Sequence, residues 1–244
     1  MKMTYLRLLL LLSPGAGICF AGGLVTIAGI TEPIADVTLS ASVPGIVSAW
    51  KFKEGDSVRQ GDTIIELDKK LEELEADRRK LAMEKARKDW EALQTLFKKN
   101  SISVRKEELE KAETDYKIAA TEYEMAAEQL RKRSVAAPCA GNIAEITRDV
   151  GEACQPYQPL IRLVDTHQCY FVSNVEARLA SQFKPDQTVQ LELAAGTTTF
   201  KVQGKIAFIS PVVDPASGLQ KIRVLFGNAD GRIRPGVAGK LLVE

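Results

Sequence analysis

The chain has 244 residues, enough for one large domain or for two or three small ones. Its 33 Lys and Arg residues nearly balance its 32 Asp and Glu residues, so no net charge favours nucleic acid as a partner. There is a single histidine, His167, and no catalytic motif, so we expect no catalytic, cofactor-binding or metal-binding residues.

Residues 1–21 have the pattern of an export signal. Lys2 and Arg7 precede an apolar run, and Ala21 stands at a suitable cleavage position. Two alternatives remain open. Residues 8–30 carry no charge and could form an uncleaved membrane anchor, and Cys19 could be lipidated. All three predict a chain in the periplasm or cell envelope, with an N-terminus that is cleaved, anchored or lipidated.

Three cysteines would remain after cleavage, in an oxidising compartment: Cys139, Cys154 and Cys169. An odd number cannot all pair internally, and their spacing matches no zinc site. We expect small apolar core residues with free thiols. Cys139 and Cys154 should occupy matching interior positions, and a disulfide between them is the alternative.

Two stretches of the chain repeat one spacing. In each copy two glycines are ten residues apart, and a leucine lies twelve residues beyond the second glycine. These positions are Gly45, Gly55 and Leu67, and then Gly141, Gly151 and Leu163. Short apolar runs punctuated by Gly-Asp or Gly-Glu pairs predict strands and tight turns. Neither copy can close a core alone, so we expect the two to pack together with both leucines buried.

Residues 69–133 separate the two copies and contain no Gly or Pro, which predicts one long helical module. Its second half shows heptad spacing, at Leu109, Ala112, Tyr116, Ala119, Tyr123, Ala126 and Leu130. Its first half predicts two stripes offset by two residues: Leu71, Leu74 and Leu81, then Met83, Ala86, Trp90, Leu93 and Phe97. We therefore expect an antiparallel coiled-coil hairpin whose stripes pack on each other.

The polar residues 98–103 are typical of the tip of such a hairpin. Ser103 is the predicted N-cap of the returning helix. The basic residues 131–133 end that helix, where positive charge complements the helix dipole.

The last third of the chain alternates β-type runs with turns, and a short helix is predicted at residues 176–183. Several motifs follow one another here. Residues 175–179 are similar to V-x-E-x-x-L, and P-x-Q-x-V stands at 185–189. F-x-G-x-I and S-P-x-V-D lie within 200–214, and I-R-P-G stands at 233–236. With the split repeat and the helical insertion, these motifs resemble the membrane fusion proteins, also called periplasmic adaptors or HlyD-like secretion proteins.

The resemblance implies an α+β, mostly β fold. It comprises a split lipoyl-like β-sandwich, interrupted by a coiled-coil hairpin and followed by a β-barrel. The implied domains are a leader at 1–21, an N-terminal strand joining the barrel at 22–37, lipoyl-like halves at 38–68 and 134–165, the hairpin at 69–133 and the barrel at 166–244.

The resemblance also implies a non-enzymatic adaptor that forms a homo-oligomeric ring and a helical tube. It would link an inner-membrane transporter, of ABC or RND type, to an outer-membrane channel in efflux or secretion. Two alternatives remain: a lipoyl or biotin carrier component modified at Lys69, and a structural coiled-coil envelope protein. The transported substrate is not predicted.

The resemblance places partner docking at the hairpin tip, at Leu96, Lys98, Lys99, Asn100, Ser101, Ile102 and Ser103. Adaptors that dock on an outer-membrane channel often show Arg, Leu four residues later and Ser seven beyond. Leu96 and Ser103 fit that spacing, whereas Ala92 occupies the arginine position.

Overall fold

The computed structural model describes residues 25–99, 105–196 and 198–243. The leader prediction therefore lies outside the described residues. In chain order, the elements are β1 (Val25–Ser40), β2 (Gly45–Trp50), β3 (Ser57–Val58), β4 (Thr63–Leu67), α1 (Lys70–Lys99), α2 (Lys106–Arg131), β5 (Ser134–Ala136), β6 (Gly141–Ile146), β7 (Ala153–Cys154), β8 (Pro159–Glu176), α3 (Ala177–Ala180), β9 (Thr188–Ala195), β10 (Thr198–Ile209), β11 (Leu219–Gly227) and β12 (Ala238–Val243).

Six antiparallel strands close into a barrel. They follow the order β1-β12-β9-β10-β11-β8, and β8 pairs back onto β1. The N-terminal strand joins this barrel because β1 pairs with β12 from Val25↔Val243 to Ile30↔Ala238. Alternating apolar residues of β8 to β11 fill the interior, including Phe171, Leu191 and Ile206. Closure leaves these strands no unpaired edge within the barrel.

The lipoyl-like sandwich stands beside the barrel and shares two strands with it. The far halves of β1 and β8, with β6 and β3, form one sheet, and β5-β4-β2-β7 form the other. A second apolar cluster lies between these sheets, and it includes Leu67 and Leu163, both completely buried. The expectation that the two repeat copies share one core is confirmed.

The repeat is visible in the turns as well as in the strands. Gly55 and Gly151 both adopt positive φ, 89° and 93°. The carboxylates that follow them, Asp56 and Glu152, each accept the backbone N–H of the residue three positions earlier. These side chains close turns, as the Gly-Asp and Gly-Glu pairs predicted.

The helical hairpin is inserted between two neighbouring strands. β4 pairs with β5 in antiparallel fashion, with Glu66 opposite Ser134. The chain leaves this pair through α1 and returns through α2. At 1.5 Å per residue, the 30 residues of α1 extend about 45 Å from the sandwich.

The predicted heptad of α2 is confirmed. Its seven positions are buried or half-buried, and Ala126 is the most enclosed of them. The indole of Trp90 on α1 stacks on the ring of Tyr116, with centroids 5.5 Å apart and planes 4° from parallel. This aromatic pair fixes the alignment of the two helices in the outer half of the hairpin.

Of the two offset stripes predicted on α1, the second, from Met83 to Phe97, is confirmed, and the first was wrong. Leu71, Leu74 and Leu81 are exposed, and one continuous seam runs instead through Glu72, Ala76, Arg79, Met83, Ala86, Trp90, Leu93 and Phe97. Glu72 and Arg79 fit the seam because each meets a charge from the opposite side, Arg133 and Glu122 respectively. Hydropathy alone cannot identify such positions.

Two other local predictions concern the ends of helices. α2 begins at Lys106, and Arg105 occupies its N-cap position without a side-chain hydrogen bond. Ser103, the predicted N-cap, lies outside the described residues. The helix predicted at residues 176–183 is only four residues long, and its turn continues to Phe183, which is buried in the barrel core.

The three cysteines of the described chain are free. Cys154 and Cys139 stand 96 residues after Val58 and Val43, at the equivalent positions of the first repeat copy. Cys154 is buried and Cys139 packs against the same sandwich core, so both thiols replace apolar side chains. Cys169 is buried in the barrel, and this burial raises the pKa of its thiol.

We expect the aromatic pair to carry much of the hairpin's stability. Tyr116→Asp should lower the free energy of unfolding by about 2–3 kcal/mol, because it places a charge without a partner in a packed seam. Urea denaturation measures this change. Glu124→Ala, on the exposed face of α2, is the control and should stay within about 0.5 kcal/mol. Equal losses for the two variants would contradict the observed seam.

Candidate partner-docking site

The hairpin tip is the candidate site, and the described part of it is basic. α1 ends with Lys98 and Lys99, which complement the carbonyl end of the helix dipole. Arg105 and Lys106 stand at the start of α2, and all four side chains are exposed. The structure thus brings four positive charges to the far end of the hairpin, on either side of residues 100–104.

Leu96 is the apolar member of this predicted site. It is exposed, one turn before the end of α1, whereas its neighbours Leu93 and Phe97 turn into the seam. Lys98 contacts the Gln94 carboxamide, with Nζ 3.3 Å from Oε1. Asn100, Ser101, Ile102 and Ser103 lie outside the described residues. Their part in the predicted site therefore stays a prediction.

The hairpin joins the sandwich at its root, where α1 begins and α2 ends. There Arg133 binds Glu72 and the Pro44 carbonyl, and we call this set of contacts the clamp. The Arg133 guanidinium donates from Nη1 to the Pro44 carbonyl (2.8 Å) and from Nη2 to Glu72 Oε1 (2.5 Å). The two charged side chains are 23% and 20% exposed. One residue therefore links the end of α2, the first turn of α1 and the loop that enters β2.

Gly45 makes room for this clamp. A Cβ atom on Gly45 would lie 2.9 Å from Arg133 Nη1 and 3.3 Å from Leu67 Cδ1. The backbone adds a further tie, because Leu67 N–H donates to the Arg133 carbonyl at 2.8 Å. The first glycine of the repeat thus serves the root of the hairpin as well as the start of a strand.

This role of Arg133 was not predicted from the sequence. The basic residues 131–133 were assigned to the helix dipole, but α2 ends at Arg131, which pairs with Glu128 in the same turn. Arg133 lies beyond the helix and points to the sandwich. The signal for this ion pair was present in the sequence. The first turn of α1 is acidic, with Glu72 and Glu73, and the basic residues 131–133 stand where the chain returns to the sandwich.

The remaining candidate groups take structural positions. Lys69 lies between β4 and α1, and its ammonium is shared by Glu66 (3.5 Å) and Glu73 (3.8 Å), so it is not on the free turn of a swinging arm. His167 Nδ1 lies 3.0 Å from Asp165 on the surface. Within the described ranges, no three His, Cys, Asp or Glu side chains are placed to hold a metal ion.

Family comparisons agree with this geometry. The family described as "RND MFP, barrel-sandwich hybrid domain" matches residues 35–166, which span both lipoyl-like halves and the hairpin. A second family, "CusB-like, beta-barrel domain", matches residues 172–243. The chain belongs to the RND membrane fusion proteins. The resemblance drawn from the repeat and its insertion is therefore confirmed.

Several curated proteins are similar to this membrane fusion protein. "Multidrug resistance protein MdtE" of Escherichia coli K12 is 27% identical over 261 residues, which cover 96% of this chain and 66% of MdtE. "Multidrug resistance protein MdtA" of Salmonella typhi is 26% identical, over 85% of this chain and 55% of MdtA. An uncharacterised Haemophilus influenzae protein is 24% identical, over 83% and 52%. The chain spans between about half and two thirds of the length of these relatives.

Solved structures share the fold. A MacA–MexA chimera containing the Pseudomonas aeruginosa MexA α-hairpin domain aligns with a TM-score of 0.78 at 18% identity, over 91% of this chain and 81% of the chimera. A putative efflux transporter from Bacteroides eggerthii aligns with a TM-score of 0.70 at 18% identity, over 90% and 68%. The predicted mostly-β fold with a helical hairpin is confirmed. No helix in the described part of the chain has the length and apolar character needed to span a membrane.

Because of the clamp, we expect Arg133 to contribute more to the stability of the protein than Arg131, although both belong to the same basic run. Arg133→Gln should destabilise the protein by about 2 kcal/mol, because it removes charge-assisted hydrogen bonds and leaves Glu72 partly buried without its partner. Urea denaturation provides the measurement. Arg131→Gln is the matched control, since it removes only an exposed ion pair, and it should destabilise the protein clearly less than Arg133→Gln does.

The pair itself is tested by combining Arg133→Gln with Glu72→Gln. The double variant should lose less stability than the sum of the single variants, because the first change already breaks the shared contact. Strict additivity, or equal losses at Arg131 and Arg133, would show that the clamp does not stabilise the root.

Proposed function

We propose that this membrane fusion protein is the periplasmic adaptor of an efflux system. It would join an inner-membrane transporter of the RND class to an outer-membrane channel, as an oligomer whose barrels and sandwiches form a ring. The hairpins would extend from that ring towards the outer membrane. The observation that carries this proposal is the helical hairpin, about 45 Å long, rooted in a sandwich by a charged clamp and ending in a basic tip.

The family description supports our choice of transporter class. The family that matches the sandwich and hairpin is described by the RND label, which favours an RND-type partner over the ABC-type alternative. Relatives of similar sequence are named multidrug resistance proteins, so we infer that the cargo is of the kind that such proteins expel. The N-terminal residues would direct export as a cleaved signal, or they would hold the chain at the membrane as an uncleaved anchor or through a lipid on Cys19.

We also infer that the chain acts without catalysis. An adaptor connects other proteins and needs no chemical step. The charged groups at the root of the hairpin and in the turns bind structural partners within the chain. The carrier alternative requires Lys69 on an exposed turn, whereas its ammonium lies between two carboxylates at the root of α1. A purely structural coiled coil would need neither the closed barrel nor the split sandwich.

The basic tip would contact the outer-membrane channel. A loop at the end of two long helices buries little surface, so it contributes little to folding and is free to contact a partner. Leu96 offers an exposed apolar anchor there, and Lys98 and Lys99 add positive charge in the same last turn of α1. The residues named as the predicted docking site, from Leu96 to Ser103, therefore remain our proposal for this contact.

The test uses a strain that lacks this chain but retains its own transporter. The wild-type chain should restore efflux, measured as reduced accumulation of a fluorescent substrate in cells. Leu96→Asp with Lys99→Gln should abolish that restoration while the melting temperature stays nearly unchanged. Lys85→Gln, an exposed change in the middle of α1, is the control and should restore efflux fully.

Two outcomes would contradict the proposal. If removal of the chain left efflux intact, the adaptor function would be wrong. If the tip variant restored efflux as well as the wild type does, the hairpin would be a spacer and docking would lie elsewhere.

A further inference from the structure

An open groove lies on the surface where the barrel meets the sandwich. Its volume is about 960 Å³, within the range of about 300–1,000 Å³ that is typical of sites for small molecules. β1 and β8 both cross this boundary, and their register shifts between Pro33 and Ala35. Because the strands bend at such a shift, the groove has one wall in each module.

The sandwich forms its wall from a row of residues across the outer face of one sheet. Asp36 of β1 faces Val164 of β8, which faces Asn142 of β6. Asn142 Nδ2 donates to Ser57 Oγ on β3 at 2.8 Å. Arg162 donates two hydrogen bonds to the Asp36 carboxylate, so the negative charge of this wall already has a partner. Val164 remains as apolar surface.

The barrel forms the opposite wall from β1 and from the loop that precedes β12. Ile30 and Glu32 lie on the outer side of β1, since Thr31 between them is buried. Ile30 is 56% exposed and faces the groove together with Pro235. The Glu32 carboxylate lies 3.9 Å from the Arg223 guanidinium, so it too has a cationic partner. This wall therefore adds a second apolar surface.

The loop that carries Arg234 is held in place on both sides of that residue. The buried Asn228 donates from Nδ2 to the Ile233 carbonyl (2.8 Å) and accepts the Ile233 N–H at Oδ1 (3.0 Å). On the other side, the Thr31 hydroxyl donates to the Val237 carbonyl and accepts the Val237 N–H, both at 3.1 Å. The backbone of Arg234 is thus fixed before any ligand arrives, which lowers the entropic cost of binding.

The charges of the groove are unequal in their partners. Of the four charged side chains that line it, only Arg234 forms no ion pair with another described residue. Its side chain is exposed. A guanidinium binds a carboxylate through two parallel N–H donors. The groove therefore combines one uncompensated positive charge with apolar surface on both walls.

We propose that this groove binds a small amphipathic carboxylate, whose acid group contacts Arg234 and whose apolar chain lies against Ile30 and Val164. One uncompensated arginine matches one negative charge, which favours a carboxylate over a phosphate group that carries nearly two. A cationic amphiphile would have to compete with Arg162 and Arg223 for the two carboxylates of the groove. The proposal goes beyond the adaptor function and does not depend on it.

The first test measures binding of radiolabelled decanoate to the purified full chain by equilibrium dialysis, with the same detergent concentration in both chambers. The wild-type chain should bind one decanoate. Arg234→Gln should raise the dissociation constant at least about tenfold, because it removes charge-assisted hydrogen bonds. Arg232→Gln is the matched control. It lies on the same loop but outside the groove, with Nε 2.9 Å from Asp230, and should stay within about twofold of wild type.

The second test examines the apolar part of the site and the sign of the ligand charge. Ile30→Ser should raise the dissociation constant for decanoate about fivefold, because the chain of the ligand loses apolar contact. Phe208→Ser removes an exposed apolar side chain elsewhere on the barrel and should change nothing. Decyltrimethylammonium, which has the same chain and the opposite charge, should bind at least about tenfold more weakly than decanoate.

Three outcomes would overturn the proposal: no binding of decanoate by the folded wild-type chain, equal binding by wild type and Arg234→Gln, or tighter binding of the ammonium compound. The melting temperature of each variant shows that it is folded, and the exposed position of Arg234 predicts no change there. Because no transporter is present, these assays can fail while the chain still restores efflux in cells. Failure of this proposal and failure of the adaptor function are therefore distinguishable.

Discussion

The pairing of β1 with β8 is the interaction on which the two β-modules depend. The ladder runs from Ile30↔Val172 to Ser40↔Pro159, so the same two strands close the barrel at one end and form a sheet of the sandwich at the other. The register shifts between Pro33 and Ala35, where the strands bend from one module into the next. Pro33 is tolerated at this break because the regular ladder is already interrupted there.

Tight contacts hold both ends of this ladder. In the barrel, a Cβ atom on Gly29 would lie 2.5 Å from the Phe171 ring, so only glycine allows the strands to approach the central aromatic side chain. In the sandwich, the Arg162 guanidinium donates two hydrogen bonds to the Asp36 carboxylate on the neighbouring strand. Nε lies 2.9 Å from Oδ1, and Nη2 lies 2.6 Å from Oδ2. These bonds lower the pKa of the Asp36 carboxyl, so the pair stays ionised. The hairpin then extends from a base that these strands support.

Local regularity explains what the sequence revealed about the fold. Glycine spacing, turn carboxylates and alternating apolar residues are properties of short segments, and they predicted the split sandwich with both leucines in its core. The repeat is not perfect, however. Tyr157, at positive φ of 63°, occupies the position equivalent to Gly61. Its side chain is almost fully exposed, and the Gln158 carboxamide closes that turn as Asp62 closes the first one.

Contacts between distant segments explain what the sequence did not reveal. The seam of α1 contains Glu72 and Arg79, whose charged partners lie far away in the sequence, at Arg133 and Glu122. A search for apolar spacing therefore selected exposed leucines instead. Arg133 gained its role only because the topology brings three segments to one point. Leu96, Lys98 and Lys99 lie at the end of α1 with exposed side chains. Their contact with a partner stays a prediction, because the surface of a partner is not encoded in this chain.

The hairpin is, in this view, an insertion into a β-domain that folds through its own strands. The most direct test is amide hydrogen exchange of a chain in which residues 69–133 are replaced by a short Asn-Gly turn. Because Glu66 already faces Ser134 across β4 and β5, that turn can join the strands directly. Amides of β1, β4, β6 and β8 should then stay protected as in the intact chain. Rapid exchange throughout the sandwich would contradict an independent β-domain, since the two halves would then need the hairpin in order to fold.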